Sequence, residues 1–162
     1  MTPDDAARLR AVLDRLVREK EIAAAWFGRV AQVLDDVDQR RAFRRMAQDE
    51  KDQRKILMKH RRELCGALAA HAAPTNAQIS AVHREVEAAS RPTSARWADA
   101  IRVAAHLAEE SRTFAAFASD VVGERSCRIF LKILGQESAA RRDDLVRELR
   151  RHEAAQGESV AA

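Results

Sequence analysis

Two glutamates lie at matching places in the two halves of the chain, each within an otherwise apolar helical stripe. Glu50 lies in the stretch MAQDEKDQRKIL, on the face that also carries Met46 and Leu57. A shift of 87 residues brings Glu137 onto Glu50 without a gap. Because a carboxylate on a buried face is costly unless a cation compensates it, three interpretations are open: a metal site, a former metal site, or a helix that happens to carry a glutamate there.

The same shift aligns other residues of the two halves. The further matches include two phenylalanine pairs, and they are Phe27 with Phe114, Ala31 with Ala118, Arg41 with Arg128, Phe43 with Phe130, and Arg54 with Arg141. Self-similarity at a fixed distance is the signature of a repeated structural unit. The chain is therefore interpreted as a duplicated helical hairpin.

Four long amphipathic helices carry these residues. Apolar side chains recur every three or four residues from Leu9 to Leu34, Phe43 to Leu64, Trp97 to Val121, and Phe130 to Leu145. In the fourth helix the predicted buried stripe is Phe130, Ile133, Leu134, Glu137, Ala140 and Leu145. Short loops within each pair of helices make antiparallel neighbours, and the long connection between the pairs permits a crossover.

We therefore expect an all-α fold with one domain over residues 1–153. It consists of hairpins 3–69 and 94–153, joined by a connection over 70–93. Within that connection Ile79, Val82 and Val86 predict a short extra helix. Residues 154–162 are expected to form a flexible C-terminal tail.

Composition narrows the class of protein. Aromatic residues make up only 4% of the 162-residue chain, so Ala, Leu, Ile and Val must supply most of the core. No apolar run approaches the ~20 residues of a membrane span, and the N-terminus lacks the apolar core of a signal peptide. Cys65 and Cys127 are isolated in sequence, which favours two reduced thiols and a cytoplasmic location.

The spacing of Phe27, Ala31, Phe43, Ala47 and Glu50 resembles the rubrerythrin-like branch of the ferritin-like superfamily. The second half repeats this pattern, with Phe114, Ala118, Phe130, Leu134 and Glu137. The resemblance covers roughly residues 5–150 and implies a ferritin-like four-helix bundle. In that family each hairpin supplies a Glu from its first helix and a Glu-x-x-His from its second, and together these six residues bind two metal ions, usually iron.

The ligand pattern of that family is only partly present here. The resemblance places the bridging glutamates at Glu50 and Glu137 and the two histidines at Gln53 and Ala140. It places the remaining two glutamates at Lys20 and Leu107. Nearby residues that could add ligands are Glu21, His106 and Glu110. We interpret the site as the remnant of a dinuclear iron site.

A buried charge cluster is the expected replacement for the metal. Lys20 lies on a core stripe and is expected to pair with both glutamates. Gln53 is expected to donate a hydrogen bond to the cluster. Arg54 and Arg141 follow Glu50 and Glu137 by four residues, so each is expected to reach back along its own helix.

Three functions remain open on the sequence alone. The first is a non-catalytic dimer or partner-binding module that has lost its metal and has no cofactor. The second is a carboxylate-bridged di-iron oxidoreductase that handles peroxide, oxygen or iron. The third is a basic module that binds an anionic polymer. Nucleic acid is not favoured as that polymer, because acidic residues interleave with the arginine clusters and no aromatic side chains lie among them for base stacking. A homodimer is expected, whereas a membrane partner is not, and the sequence identifies no other protein partner.

Overall fold

Five helices account for the secondary structure of the residues that the computed structural model describes, which are 3–65, 79–89 and 92–160. They are α1 (Pro3–Val33), α2 (Val37–Cys65), α3 (Ala81–Ala88), α4 (Trp97–Val121) and α5 (Arg125–Val160). No strand occurs within these ranges, so the all-α prediction is confirmed. None of the described helices is long and apolar enough to cross a membrane.

Side chains at the helix starts satisfy the exposed backbone N–H groups there. The Asp36 carboxylate accepts a hydrogen bond from the backbone N of Gln39 at 2.8 Å, at the start of α2. Ser80 caps α3 by accepting from the backbone N of His83 at 3.3 Å, and Glu124 accepts from the N of Ser126 at 3.0 Å before α5. These capping contacts help to fix where α2, α3 and α5 begin.

α1 and α2 form one antiparallel pair and α4 and α5 form another. In the first pair the ring centroids of Phe27 and Phe43 are 5.9 Å apart. Towards the other end of this pair, Asp14 of α1 pairs with Arg61 of α2. In the second pair Arg102 contacts Glu153 at 2.7 Å and Glu109 contacts Arg142 at 2.9 Å. In both pairs the residue number falls along one helix as it rises along the other.

The two pairs also contact each other in an antiparallel sense. The guanidinium carbon Cζ of Arg15 in α1 lies 3.7 Å from the ring centroid of Phe114 in α4. The rings of His60 in α2 and Phe130 in α5 are 4.8 Å apart. Since α5 runs opposite to both α2 and α4, these last two helices run in the same direction.

The chain between α2 and α4 must therefore return to the end of the bundle at which α2 begins. Trp97, the first residue of α4, lies beside Phe43, with ring centroids 5.7 Å apart. α2 ends at Cys65, which is about 33 Å from Phe43 along the helix at 1.5 Å per residue. The short helix α3 lies on this return, and its predicted existence is confirmed. Residues 66–78, which include much of the predicted connection, lie outside the described residues.

Among the described residues, the core consists of two apolar clusters. The first surrounds four aromatic rings, those of Trp26, Phe27, Phe43 and Trp97, which meet edge to face. The second lies towards the other end and is built on Leu13, Leu16, Leu57, Leu131 and Leu134. All the positions predicted for the stripe of α1 are buried, namely Leu9, Leu13, Leu16, Lys20, Ala23, Phe27, Val30 and Leu34.

The predicted stripe of α5 is wrong in its rotation. The buried residues of this helix are Cys127, Leu131, Leu134, Ser138 and Leu145, whereas Ile133, Glu137 and Ala140 are exposed. α5 packs against α4 near Gly135, where an added Cβ would make an ordinary contact at 3.7 Å with the Cβ of Ala115. In the orientation that α5 takes, the small side chain of Ser138 faces inward and Glu137 lies at the surface.

Two further expectations need correction. Helix α5 continues to Val160, so the predicted flexible tail from residue 154 is helical up to that point. The segment contains Ala, Gln and Glu, which favour helix, and only Gly157 opposes it. The equivalence of the two hairpins is also incomplete, because Phe27 and Phe43 are buried but Phe114 and Phe130 are only half-buried.

The aromatic cluster should dominate the stability of the fold. Phe43 is fully buried and touches three other rings, so Phe43→Ala should cost ~3–5 kcal/mol of unfolding free energy. Phe117→Ala is the matched control, because that ring is 58% exposed and its loss should change stability little. Urea unfolding followed by far-UV circular dichroism measures both, and equal effects would contradict this account of the core.

Candidate functional site

A buried carboxylate with two cations lies between the hairpins. Glu50 of α2 is 4% exposed, and Lys20 of α1 is 2% exposed with its Nζ 2.9 Å from Glu50 Oε2. Arg141 of α5 donates to Glu50 Oε1 and reaches Asp49 at 3.4 Å. We call Lys20, Glu50 and Arg141 the buried charge cluster, and it ties three helices together.

The two cations keep Glu50 ionised. Burial by itself would raise the pKa of this carboxyl group, but the charges of Lys20 and Arg141 outweigh burial and lower the pKa below its ordinary value. The contact of Lys20 with Oε2 lacks the alignment of a hydrogen bond, so we describe it as an ion pair. Glu50 is therefore ionised at neutral pH, although its side chain is buried.

A cavity of about 10 Å³ lies beside the buried charge cluster. Its lining includes the three cluster residues together with Leu107, Ser111 and Ser138. Such a volume holds about one water molecule, and the hydroxyl and charged groups on its wall could bind one. Leu107 and Lys20 are the two positions at which the resemblance placed missing glutamates.

The other predicted members of the cluster lie at the surface. Glu137 is exposed and does not reach Glu50; instead its Oε2 accepts a hydrogen bond from Gln53 Nε2 at 3.1 Å. Arg54 lies 3.8 Å from Glu21 on α1 and does not turn back towards Glu50. The prediction that both arginines pair within their own helices is wrong, because the antiparallel partner helices bring other carboxylates within reach.

The additional ligand candidates do not gather around Glu50. Glu21 is about half exposed and pairs with Arg18 at 3.0 Å. On α4, His106 is exposed and Glu110 is half-buried. Within the described ranges, no group of three or more His, Cys, Asp or Glu side chains could hold a metal ion.

The side chains present around Glu50 do not fit a dinuclear iron centre. Such a centre takes about four carboxylates and two imidazoles, but here one carboxylate faces an ammonium and a guanidinium. Each cation occupies an oxygen that a metal would use. The adjoining cavity of about 10 Å³ is too small for two metal ions with their ligands.

A second buried polar group lies where α3 packs on α1, and sequence analysis missed it. Glu19 is 1% exposed, and its Oε1 accepts hydrogen bonds from Arg15 Nε at 3.0 Å and from the backbone N of Ser80 at 2.9 Å. The Ser80 hydroxyl lies 2.7 Å from His83 Nδ1. The spacing of Ser80 and His83 indicates a helix cap, but no sequence signal links them to Glu19.

This group anchors α3 and lacks the geometry of a catalytic triad. Ser80 Oγ and Glu19 Oε1 both face the same ring nitrogen of His83, at 2.7 Å and 3.9 Å, whereas a triad uses both nitrogens. Burial lowers the pKa of His83 to about 3, so the ring is neutral at pH 7. Burial also raises the pKa of Glu19, against the opposing charge of Arg15.

A groove of about 1240 Å³ separates α2 from α5 on the outer side of the buried charge cluster. Its floor is apolar and includes Met46, Trp97, Ile101 and Leu145, and its walls carry charged side chains of both signs. Arg141 lies at the boundary, since it lines the groove and also binds Glu50. We call this surface the α2/α5 groove.

Comparison with known proteins finds no family model, no curated protein and no solved structure that matches the chain.

Replacing Lys20 should expose the energetic role of the buried charge cluster. Lys20→Met leaves Glu50 with Arg141 alone, and removing one partner of a buried pair costs ~3–5 kcal/mol. The double variant Lys20→Met/Glu50→Leu should lose less stability than the sum of its single variants, as urea unfolding will measure. Lys55→Met is the control, because its ion pair with Asp52 is exposed and should matter little; strict additivity would contradict the pairing.

His83 should make the protein less stable in mild acid. Its folded pKa of about 3 lies below its ordinary value of 6.5, so the unfolded chain binds the proton more readily. The stability that is present above pH 6.5 is then lost as the pH falls towards 3. Between pH 7.5 and 5.5 the free energy of unfolding should fall by about 1.4 kcal/mol. His83→Gln should flatten this part of the curve in urea unfolding, and an unchanged slope would contradict the assignment.

Proposed function

We propose that the chain is a ferritin-like, rubrerythrin-like bundle that has lost its dinuclear iron site and acts as a non-catalytic module for binding protein. The directions of the described helices support this architecture, because two antiparallel pairs are joined by a connection that returns to the end of the bundle at which α2 begins. In the register given by the resemblance, Lys20, Glu50 and Leu107 stand at three ligand positions. All three line the same small cavity, as expected if these positions surround the place of a former metal site.

The single observation that carries the proposal is the pairing of Glu50 with protein cations. Lys20 and Arg141 occupy both carboxylate oxygens, and they supply the positive charge that metal ions would supply in the family. A carboxylate held in this way is a structural group, since both of its oxygens lie against protein cations and the side chain is buried. The cluster therefore serves the proposed module by holding its two hairpins together.

The α2/α5 groove is the surface on which a protein partner is proposed to bind. It is open along the bundle, and its apolar floor below charged walls matches the apolar centre and polar rim of protein interfaces. Trp97 on the floor is half-buried, and partly exposed tryptophans are frequent anchors in such interfaces. The arginines on the walls add a second residue type that interfaces favour.

Metal addition tests the proposal directly. Protein purified without chelators or metal-affinity resin should contain no stoichiometric iron, and adding Fe(II) or a chelator should leave its Tm unchanged. Elemental analysis and thermal unfolding by circular dichroism measure the two quantities.

Stoichiometric iron with a clear rise in Tm would refute the proposal. It would favour the di-iron alternative, in which Glu21, His106 or Glu110 completes a metal site with Glu50 and Glu137. As a matched variant, Glu50→Gln should abolish such binding under that alternative and have no effect on metal content under the proposal.

A further inference from the structure

The seam between α2 and α5 changes character along its length. At one end the α2/α5 groove opens between the helices, from the level of Ala42 to that of Glu50 and Arg141. At the other end the rings of His60 and Phe130 fill the seam, with centroids 4.8 Å apart. The same face of the protein therefore carries a depression beside a filled surface.

Three isoleucines project from the filled end. Ile56, Ile129 and Ile133 are 45%, 51% and 46% exposed. Ile56 lies between Gln53 and His60 on α2, both of which contact α5. Ile133 lies between Phe130 and Glu137 on α5, both of which contact α2, and Ile129 is one turn earlier. We call Ile56, Ile129 and Ile133 the isoleucine ridge.

We propose that the partner of this module is a second copy of the chain, and this inference rests on the proposed function. The two copies pack through their α2/α5 faces in opposite directions, so that the isoleucine ridge of each lies in the α2/α5 groove of the other. This is an isologous contact with a two-fold axis. The axis lies within the interface and crosses the helices at right angles.

The spacing along both helices fits this arrangement. Ile133 precedes Leu145 of the groove floor by about 18 Å, and Ile56 follows Met46 by about 15 Å, at 1.5 Å per residue. A rotation of 180° that places the isoleucine ridge on the partner's α2/α5 groove therefore has its axis midway between ridge and groove. This position is next to Ala140 on α5 and Glu50 on α2. One rotation satisfies both helices, since the two distances are nearly equal.

The size of the face is adequate for a stable dimer. From Ile129 to Arg151 the face extends about 33 Å along α5, and two helices side by side are about 20 Å wide. This approaches the ~800 Å² per partner of a standard interface. The exposed apolar ridge would be covered in each copy.

The charges at the two ends favour the antiparallel arrangement over a parallel one. The ridge end is basic: counted over all faces, α2 carries six Lys and Arg side chains against two acidic ones over residues 51–63, and α5 carries three against none over residues 125–136. The lining of the α2/α5 groove is nearly balanced, with six acidic side chains against five arginines. An antiparallel dimer brings each basic end over this balanced groove, whereas a parallel dimer would place two basic ends together.

The mass in solution and a ridge variant test the inference. Sedimentation equilibrium at tens of micromolar should give twice the chain mass of 18.1 kDa. Ile133→Glu should raise the dimer dissociation constant at least ~30-fold while the far-UV circular dichroism spectrum stays helical, because Ile133 is exposed in the single chain. Phe117→Glu is the matched control, since Phe117 is 58% exposed on α4 and should leave the dimer intact.

A cysteine variant tests the position of the axis. Ala140→Cys lies beside the two-fold axis, so a mild thiol oxidant such as diamide should join two copies through this position. Phe117→Cys, with the same native thiols, should give no such cross-link. A monomeric wild type, an undisturbed Ile133→Glu dimer or equal cross-linking of both cysteine variants would overturn the inference, and none of these results bears on the iron test of the proposed function.

Discussion

The ion pairs of Glu50 are the constraint on which the rest of the structure depends. A buried carboxylate is tolerable only when cations reach it, and here they come from two other helices, with Lys20 on α1 and Arg141 on α5. The cluster therefore fixes the rotation of three helices and the distance between the two hairpins. A shift of any one helix would strand a charge in the core.

The outer surface follows from the same contacts. Arg141 reaches inward to Glu50 across the seam between α2 and α5. The α2/α5 groove is open on the outer side of Arg141, and its lining includes the small side chains of Ala42 and Ala140. The rotation of α5 that places Ser138 inside also places Glu137 and Ile133 outside. The charge cluster, the groove and the isoleucine ridge are thus consequences of one helix orientation.

The short helix α3 adds a separate constraint. Glu19 lies beside Lys20 in sequence but faces α3, where it accepts from the backbone of Ser80. Neighbouring residues on α1 thus serve two different contacts, one with the opposite hairpin and one with the connection. The neutral His83 beside them makes this region the part of the core most sensitive to acid.

Sequence by itself determined the helices, the complete core stripe of α1 and the burial of Lys20 and Glu50, because a period of 3.6 residues identifies a buried face within one helix. It did not determine the rotation of α5, because apolar residues such as Ile129 and Ile133 occur on more than one face of this helix and only its packing against the other helices selects the face that turns inward. It also missed the partners of Arg54, Arg141 and Glu19, each of which binds a residue of another helix or of the connection. Spacing within a helix cannot reveal such pairs, since only the packing of the helices sets which side chains come within ion-pair distance.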